Sequence, residues 1–413
     1  MIVPLAIVVA LGAIFAGAWL LLFSPKTGTG GKKAGDANKE GNSGGKTDAK
    51  TSGAQQQKKG SQKVDMKLLQ AKAKKAAAVL EKTIDHPLFL GALKGVNNPI
   101  ESVAVSPDSQ KIAVASSERV LRVYRLKGPA EEAMKGPIDF DRLTMPGSDY
   151  PALLDFTTDS SSLAVVSEGE QRLVMFDLGK PPKLSFHSKD ALHKGNVKWI
   201  VASKGSFIVT CSEGKDTEVK FWSYRGDLLG TYDTKQIQNF FLSVSPLDAR
   251  FVAVAAWSAG VKMMEVGAKS GMFQKPEKAM DLPTKGGVNS VCLSGDHSRA
   301  VCLCKDGTVG VFRTDVRYQV NEDPKKVAEY REEEENFKDA HVMYYVGEGS
   351  ERVLVCHGRN AKLVTVDGWK TVSTFMDMHS SSMRSLAVAP DGTFFVTGGG
   401  DAKVRLWKIP AAN

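Results

Sequence analysis

The sequence contains none of the local motifs that indicate the common types of enzyme catalysis. It has no Gly-x-Ser-x-Gly motif, no Cys–His dyad motif and no paired-carboxylate signature. The stretch "EGNSGGKT" differs from a phosphate-binding loop because Glu40 occupies the first glycine position and no apolar strand precedes it. We therefore predict a protein that is not an enzyme and that uses no cofactor.

Disulfide and glycosylation signals are also lacking. The five cysteines are odd in number, lie in apolar runs and show no framework spacing, and no Asn-x-Ser/Thr acceptor occurs. This pattern favours free thiols in a reducing compartment. Cys292, Cys302 and Cys304 could offer three thiolates to zinc, but without an apparent fourth ligand we predict no metal site.

The net charge of +9 is concentrated in one segment of the chain. Residues 24–75 contain 13 lysines against 4 acidic residues, whereas the remainder of the chain is neutral. Residues 24–63 are predicted to be a disordered basic linker, and residues 64–84 a helix without Gly or Pro. Three interpretations remain open for the basic segment: contact with acidic lipid, contact with RNA, or a solvated spacer.

The first 23 residues, from Met1 to Phe23, contain no charged side chain. This length is sufficient to cross a bilayer, so we predict a transmembrane signal anchor, with a cleaved signal peptide as the rival interpretation. Lysines appear only after the span, beginning at Lys26. The positive-inside rule then places the rest of the chain in the cytosol, by default at the endoplasmic reticulum.

From residue 86 to residue 413, one pattern of apolar strands and polar turns recurs seven times at about 47 residues. The first and last copies, "SVAVSPD" and "SLAVAPD", nearly coincide. Repeats of this length with three or four strands predict an all-β, seven-bladed WD40 propeller. Only six residues follow Trp407, so the outer strand of the last blade must come from elsewhere. We predict that residues 86–95, "HPLFLGALKG", supply it and close the ring.

Two copies contain a complete set of polar residues that would link strands and loops. These are His193, Thr210, Asp216 and Trp222 in the third copy, and His379, Thr397, Asp401 and Trp407 in the seventh. An Asp that holds a His, which bonds a hydroxyl, which bonds an indole N–H, would satisfy buried polar groups. We predict a structural and not a catalytic role for both sets.

The loops expected at one rim of the propeller contain candidate partner-binding residues. These are Tyr150, Trp257, Glu332, Glu333, Glu334, Glu335 and Arg359. Aromatic and arginine side chains rimmed by charge are typical of protein-docking surfaces, and a merely solvated rim is the alternative. The acidic run argues against nucleic acid at that part of the rim.

The stretch "KFWSYRGDLLGTYDTKQIQNFFLSVSPLDARFVAVAAW", followed by "VKMMEVGAKSGMFQK" and "CKDGTVGVFRTDVRY", resembles the transducin beta-like branch of the WD40-repeat family. The resemblance implies an endoplasmic reticulum membrane protein with a cytosolic propeller. It also implies a scaffold role in the unfolded-protein stress response, near a stress-sensing kinase that controls translation initiation and near ribosomes.

These observations lead to one expected function and two rivals. We expect a membrane-anchored scaffold with protein partners on the cytosolic face and no small-molecule substrate. The first rival is a guanine-nucleotide exchange factor for a small secretory GTPase. The second is a protein that tethers ribosomes or RNA through the basic linker, in which case binding should weaken steeply with salt.

Overall fold

The computed structural model describes residues 84–246, 248–266, 268–269, 272–315, 325–337, 342–346 and 351–411. The predicted membrane anchor at 1–23, the linker at 24–63 and nearly all of the helix at 64–84 lie outside these residues. Ile84, the last residue of that predicted helix, is not helical. Within the described ranges, no helix has the length and apolar character needed to span a membrane.

The described residues form an all-β propeller whose strands follow one another in antiparallel order. Strand β1 (Phe89–Leu93) comes first. Sheet B follows with β2 (Ile100–Val105), β3 (Lys111–Ser116), β4 (Val120–Arg125) and β5 (Phe140–Thr144). Sheet C contains β6 (Pro151–Phe156), β7 (Ser162–Ser167), β8 (Leu173–Asp177) and β9 (Lys183–His187). Sheet D contains β10 (Val197–Val201), β11 (Ile208–Ser212), β12 (Glu218–Trp222) and β13 (Leu228–Asp233).

The second half of the chain completes the set of sheets. Sheet E begins with β14 (Asn239–Val244), β15 (Phe251–Ala256) and β16 (Ala259–Glu265), which a hairpin of β17 (Ala268–Lys269) and β18 (Met272–Phe273) follows. It continues with β19 (Glu277–Leu293), β20 (Arg299–Cys304), β21 (Thr308–Arg313) and β22 (Lys326–Arg331). Sheet F contains β23 (Val342–Tyr345), β24 (Arg352–His357), β25 (Asn360–Thr365) and β26 (Thr371–Phe375). Sheet A contains β27 (Met383–Val388), β28 (Phe394–Gly399) and β29 (Val404–Lys408), together with β1.

Helical structure is confined to short turns in the described part of the chain. One helical turn, α1 (Ala130–Ala133), connects β4 to β5, and 3-10 turns occur at Glu335–Phe337 and Asp367–Trp369. Ala130 of α1 is buried in the apolar cluster between sheets A and B, so this turn covers the outer end of that cluster.

Sheet E has seven strands because one continuous strand, β19, belongs to both of its halves. Its first part pairs with β16, from Glu277 opposite Glu265 to Gly287 opposite Ala259. Its second part pairs with β20, beginning with Val288 opposite Cys304. Gly287 lies where the partner changes, and a Cβ atom there would clash with the carbonyl oxygen of Trp257. The chain can therefore pass between the two halves only with glycine at this position.

Apolar clusters hold neighbouring sheets face to face, and the order of the clusters follows the chain. They join A to B, B to C, C to D and D to E; another lies between the two halves of E, and others join E to F and F back to A. The inner strands are buried on both sides, as in "KIAVAS" of β3, where small alanines alternate with larger residues. All five cysteines are free and buried in these strands.

The N-terminal strand pairs with the C-terminal strand. Phe89 lies opposite Trp407 and Leu93 opposite Val404, so β1 is the outer strand of sheet A. The pairing lies inside the predicted segment 86–95 but is shorter, since it runs from Phe89 to Leu93, and its register shifts between Phe89 and Gly91. His86 adds a hydrogen bond from its ring to the carbonyl oxygen of Thr374 at 3.1 Å.

Side chains on the innermost strands make hydrogen bonds to a neighbouring innermost strand, in the next sheet or in the other half of sheet E. Ser102 accepts from the N–H of Leu154, Ser243 from that of Leu293, and Ser385 from that of Val103. Asp155 accepts from the N–H groups of Ala202 and Ser203 at 2.7 and 3.0 Å, and burial raises the pKa of its carboxyl group. These bonds fix the innermost strands around a central cavity of about 320 Å³.

Candidate functional site

The seventh-copy polar set forms a buried chain of hydrogen bonds in sheet A. Nδ1 of His379 lies 2.9 Å from Asp401 Oδ1, and Nε2 lies 2.8 Å from Thr397 Oγ1. The indole N–H of Trp407 donates to the same hydroxyl oxygen at 3.1 Å. A neutral histidine with its proton on Nδ1 donates to Asp401, and the Thr397 hydroxyl then donates to Nε2. The buried Arg405 adds a cationic partner for the aspartate, because its Nη1 donates to Asp401 Oδ2 at 2.9 Å and also lies 2.7 Å from His379 Nδ1. Burial lowers the pKa of His379, which agrees with the neutral ring.

The third-copy set has the same arrangement in sheet D. His193 Nδ1 lies 3.0 Å from Asp216 Oδ2, its Nε2 lies 2.8 Å from Thr210 Oγ1, and the Trp222 indole donates to that hydroxyl oxygen at 2.9 Å. Burial lowers the pKa of His193 to about 4, although the hydrogen bond that its ring donates to Asp216 opposes the shift. Asp216 also accepts from the backbone N–H groups of Lys194 and Glu218. The network therefore links the loops before β10 and β12 to strands β11 and β12.

We expect the lowered pKa of His193 to make stability pH-dependent. Below pH 6.5 the unfolded chain takes up a proton on this ring, whereas the native ring stays neutral until about pH 4. The contribution is therefore complete above pH 6.5 and is lost as the pH falls, by about 2 kcal/mol at pH 5. Denaturant unfolding at pH 7 and pH 5 measures it. As a control, replacing the exposed His187 with Asn should leave the difference between pH 7 and pH 5 unchanged. If His193→Asn loses as much stability between these pH values as wild type does, the assignment is refuted.

The acidic run is divided between the interior and the surface, which corrects one rim prediction. Glu332 is only 2% exposed and is not a rim residue. Its carboxylate accepts from Lys362 Nζ at 2.7 Å and from the Trp369 indole N–H at 3.0 Å. Glu333, Glu334 and Glu335 are exposed, and Glu334 also reaches Lys362 Nζ, at 3.0 Å. The burial of Glu332 was not predictable from the sequence of the acidic run, because its partner Lys362 lies 30 residues away in β25.

The other rim candidates lie in loops at one edge of the sheets but do not form one cluster. Tyr150 precedes β6, Trp257 lies between β15 and β16, and Arg359 lies between β24 and β25. Tyr150 is 47% exposed and Trp257 62% exposed, and Arg359 is paired with Asp377 at 2.6 Å. Among the described residues, no hydrogen bond or ring contact joins these three side chains.

A repeated β-bulge places further side chains at this rim. A register shift falls at the second residue of five innermost strands and at the corresponding residue of β19. The residues at the shifts are Glu101, Ala152, Lys198, Phe240, Asn289 and Arg384. Bulges of this kind turn a side chain away from the regular ladder. Glu101 and Arg384 pair at 2.6 Å, and Lys198 pairs with Glu213 at 2.9 Å.

The bulged residue of β14, Phe240, is aromatic, unlike the other five residues at the shifts. Its ring contacts the ring of the exposed Trp257. The rings of Phe240 and Trp257 lie 6.2 Å apart in an edge-to-face arrangement. The ammonium group of Lys305 lies 3.0 Å from the Trp257 ring centroid and 5.1 Å from that of Phe240. We call these three residues the Trp257 patch. The sequence indicated Trp257 alone, since no local pattern reveals a bulge or brings Lys305 from the next repeat.

Comparison with known proteins agrees with the repeats. A model of the WD domain, G-beta repeat, matches residues 369–408. The chain is 27% identical to Transducin beta-like protein 2 of Mus musculus and of Homo sapiens over 330 residues, which cover 78% of this chain and 72% of each relative. It is 24% identical to the Periodic tryptophan protein 2 homolog of Caenorhabditis elegans over 75% of this chain and 32% of that protein. The predicted resemblance to the transducin beta-like branch is thereby confirmed.

Proposed function

We propose that this chain is a non-enzymatic scaffold that binds protein partners through the rim formed by its β15–β16 and equivalent loops. The observation that carries the proposal is the exposed Trp257 on that rim, flanked by an aromatic ring and a lysine. Trp, Tyr and Arg side chains provide much of the binding energy of protein interfaces, and an aromatic ring in contact with a cation adds an electrostatic attraction. The polar sets around His193 and His379 are proposed to stabilise the fold that presents this rim.

We further propose that the sheets are seven blades in a ring closed by β1. The change of partner along β19 supports two blades within sheet E, which with the five four-stranded sheets gives seven. The pairing of β1 with β29 supports closure, because it covers an edge that would otherwise offer unpaired backbone groups.

We also propose that the scaffold is anchored by residues 1–23 in the endoplasmic reticulum membrane with its propeller in the cytosol. Support comes from the uncharged first 23 residues and the lysines that follow them. A role in the unfolded-protein stress response and translation control rests on the resemblance to Transducin beta-like protein 2. Anchoring would raise the local concentration of the propeller for partners at the membrane surface.

Proximity labelling in intact cells tests the scaffold proposal. A biotin ligase fused after residue 413 of the full chain should label cytosolic and membrane-surface proteins, and the same fusion lacking residues 1–23 should lose the membrane-associated set. Labelling mainly of lumenal chaperones would contradict the topology. Labelling mainly of secretory coat GTPases would favour the exchange-factor alternative over the scaffold.

The basic segment supports a second candidate function, the tethering of RNA or ribosomes. Residues 24–75 contain 13 lysines, and lysine contacts with phosphate release counterions. Binding of a labelled single-stranded RNA to the full chain should then weaken by an order of magnitude or more between about 50 and 200 mM salt. A flat salt response, or equal binding after deletion of residues 24–63, would remove this candidate.

A further inference from the structure

The Trp257 patch contains a cation that has no counter-charge among the described residues. Lys305 is half-buried, and among the described residues no carboxylate lies within ion-pair distance of its ammonium group. Desolvation alone lowers the pKa of this lysine, which agrees with the absence of a neighbouring acid among those residues. Two lysines near this rim are paired in the same part of the structure: Lys198 with Glu213 and Lys285 with Glu329. The N–H groups of Lys305 are therefore available to an acceptor from outside.

The aromatic part of the patch is equally available. Trp257 is 62% exposed, and its indole N–H donates to no described residue. Ile237, in the loop that leads into β14, is 66% exposed at the same edge of the sheets. Phe240 is the bulge residue of β14, where the register shifts between Asn239 and Phe241. The patch thus presents an apolar surface beside two hydrogen-bond donors, one of them charged.

Fixed backbone geometry holds the three residues of the patch in place. The backbone N–H of Lys305 donates to the carbonyl oxygen of Gly287, where β19 changes partner, and Gly287 lies opposite Ala259 in the ladder. Lys305 Nζ contacts both aromatic rings. A site that is already arranged needs less ordering on binding, which is the condition for recognition of a short segment.

We propose that the Trp257 patch binds an acidic segment of a protein partner, in which an Asp or Glu carboxylate accepts from Lys305 and the Trp257 indole, and an adjacent apolar side chain packs on the Trp257 ring. This inference rests on the proposed scaffold function and names the chemistry of the partner. A carboxylate supplies the missing counter-charge, whereas a basic segment would be repelled by the same ammonium group. An apolar neighbour removes the exposed ring from water.

Selection from a phage-displayed random peptide library on the full chain in detergent tests this proposal. Selected peptides are synthesised, and their affinities are measured by fluorescence anisotropy for wild type, Lys305→Met and Trp257→Ala. We expect peptides with Asp or Glu next to an apolar residue. Their Kd should rise about tenfold or more in either variant, because a charge-assisted hydrogen bond or a packed aromatic is lost. Replacement of the acidic peptide residue by its amide should weaken binding to wild type several-fold more than binding to Lys305→Met, which keeps only the indole donor.

Two controls separate this site from its surroundings. Tyr150→Ala removes an exposed aromatic of the same rim and Lys370→Met removes an exposed charge elsewhere, and neither should change the Kd. Selected peptides without acidic residues, with equal affinity for Lys305→Met, or with phosphate-dependent binding only, would overturn the proposal. A selection that enriches no peptide would overturn it too. The scaffold function would still be decided separately, because proximity labelling does not depend on this patch.

Discussion

Deletion of residues 86–95 is expected to lower the melting temperature by about 10 °C or more, whereas deletion of residues 24–63 should change it by about 1 °C or less. The first deletion removes β1 from sheet A, and with it the packing of Phe89 on Trp407 at 5.0 Å and the burial of Leu93. It also exposes the outer edge of β29 and leaves the Tyr124 hydroxyl without its bond to the carbonyl oxygen of Lys94, at 2.6 Å. Each large apolar side chain lost from such a cluster costs about 2 kcal/mol.

Differential scanning fluorimetry of the two deletions and the full chain, all in the same detergent, makes this comparison. The deletion of 24–63 is the matched control because it removes four times as many residues and none of the described strands. Melting temperatures that agree for both deletions would show that β1 does not hold the ends of the propeller together.

The Lys362→Ala variant is expected to lose about 3–5 kcal/mol of unfolding free energy. Lys362 and Glu332 are both 2% exposed in side chain, and Lys362 Nζ lies 2.7 Å from the carboxylate. Removing the lysine leaves a buried carboxylate whose remaining side-chain partner is the Trp369 indole. Uncompensated buried charges of this kind are among the most destabilising changes known in proteins.

Double-mutant analysis distinguishes the buried pair from its separate residues. Lys362→Met combined with Glu332→Gln should recover much of the loss, because the charge that needs compensation is gone. The exposed pair of Lys127 and Asp139 provides the control, and Lys127→Ala should cost less than about 1 kcal/mol in urea unfolding. A loss as small for Lys362→Ala as for Lys127→Ala would mean that the Lys362 pair does not stabilise the native state.

The sequence was sufficient to predict the propeller and the His193 and His379 networks, because both depend on local spacing. A strand, a turn and a second strand recur in each copy, and the four polar residues of a network occur at fixed places within one copy. The pairing of β1 with β29 was also predictable, since a missing outer strand next to Trp407 leaves one obvious donor.

Contacts between copies could not be predicted, since a single sequence gives no distance between repeats. The buried state of Glu332 depends on Lys362 and Trp369, which belong to the next copy. The Trp257 patch depends on a bulge at Phe240 and on Lys305 from the following repeat. The hydrogen bonds that Ser102, Ser243 and Ser385 accept from neighbouring innermost strands were missed for the same reason, because a serine on a strand has no distinctive pattern.

A disulfide across β1 and β29 tests the closed ring most directly. Leu93 and Val404 lie opposite each other, and facing residues of an antiparallel pair have the Cα separation that a disulfide requires. In full-length protein carrying Leu93→Cys and Val404→Cys, mild oxidation should form the bond and protect both thiols from alkylation, as read by mass spectrometry. The control pair Leu93→Cys and Val396→Cys, two strands apart, should stay reduced. Free, alkylated thiols in the first variant, or equal cross-linking in both, would contradict a propeller closed by its own N-terminal strand.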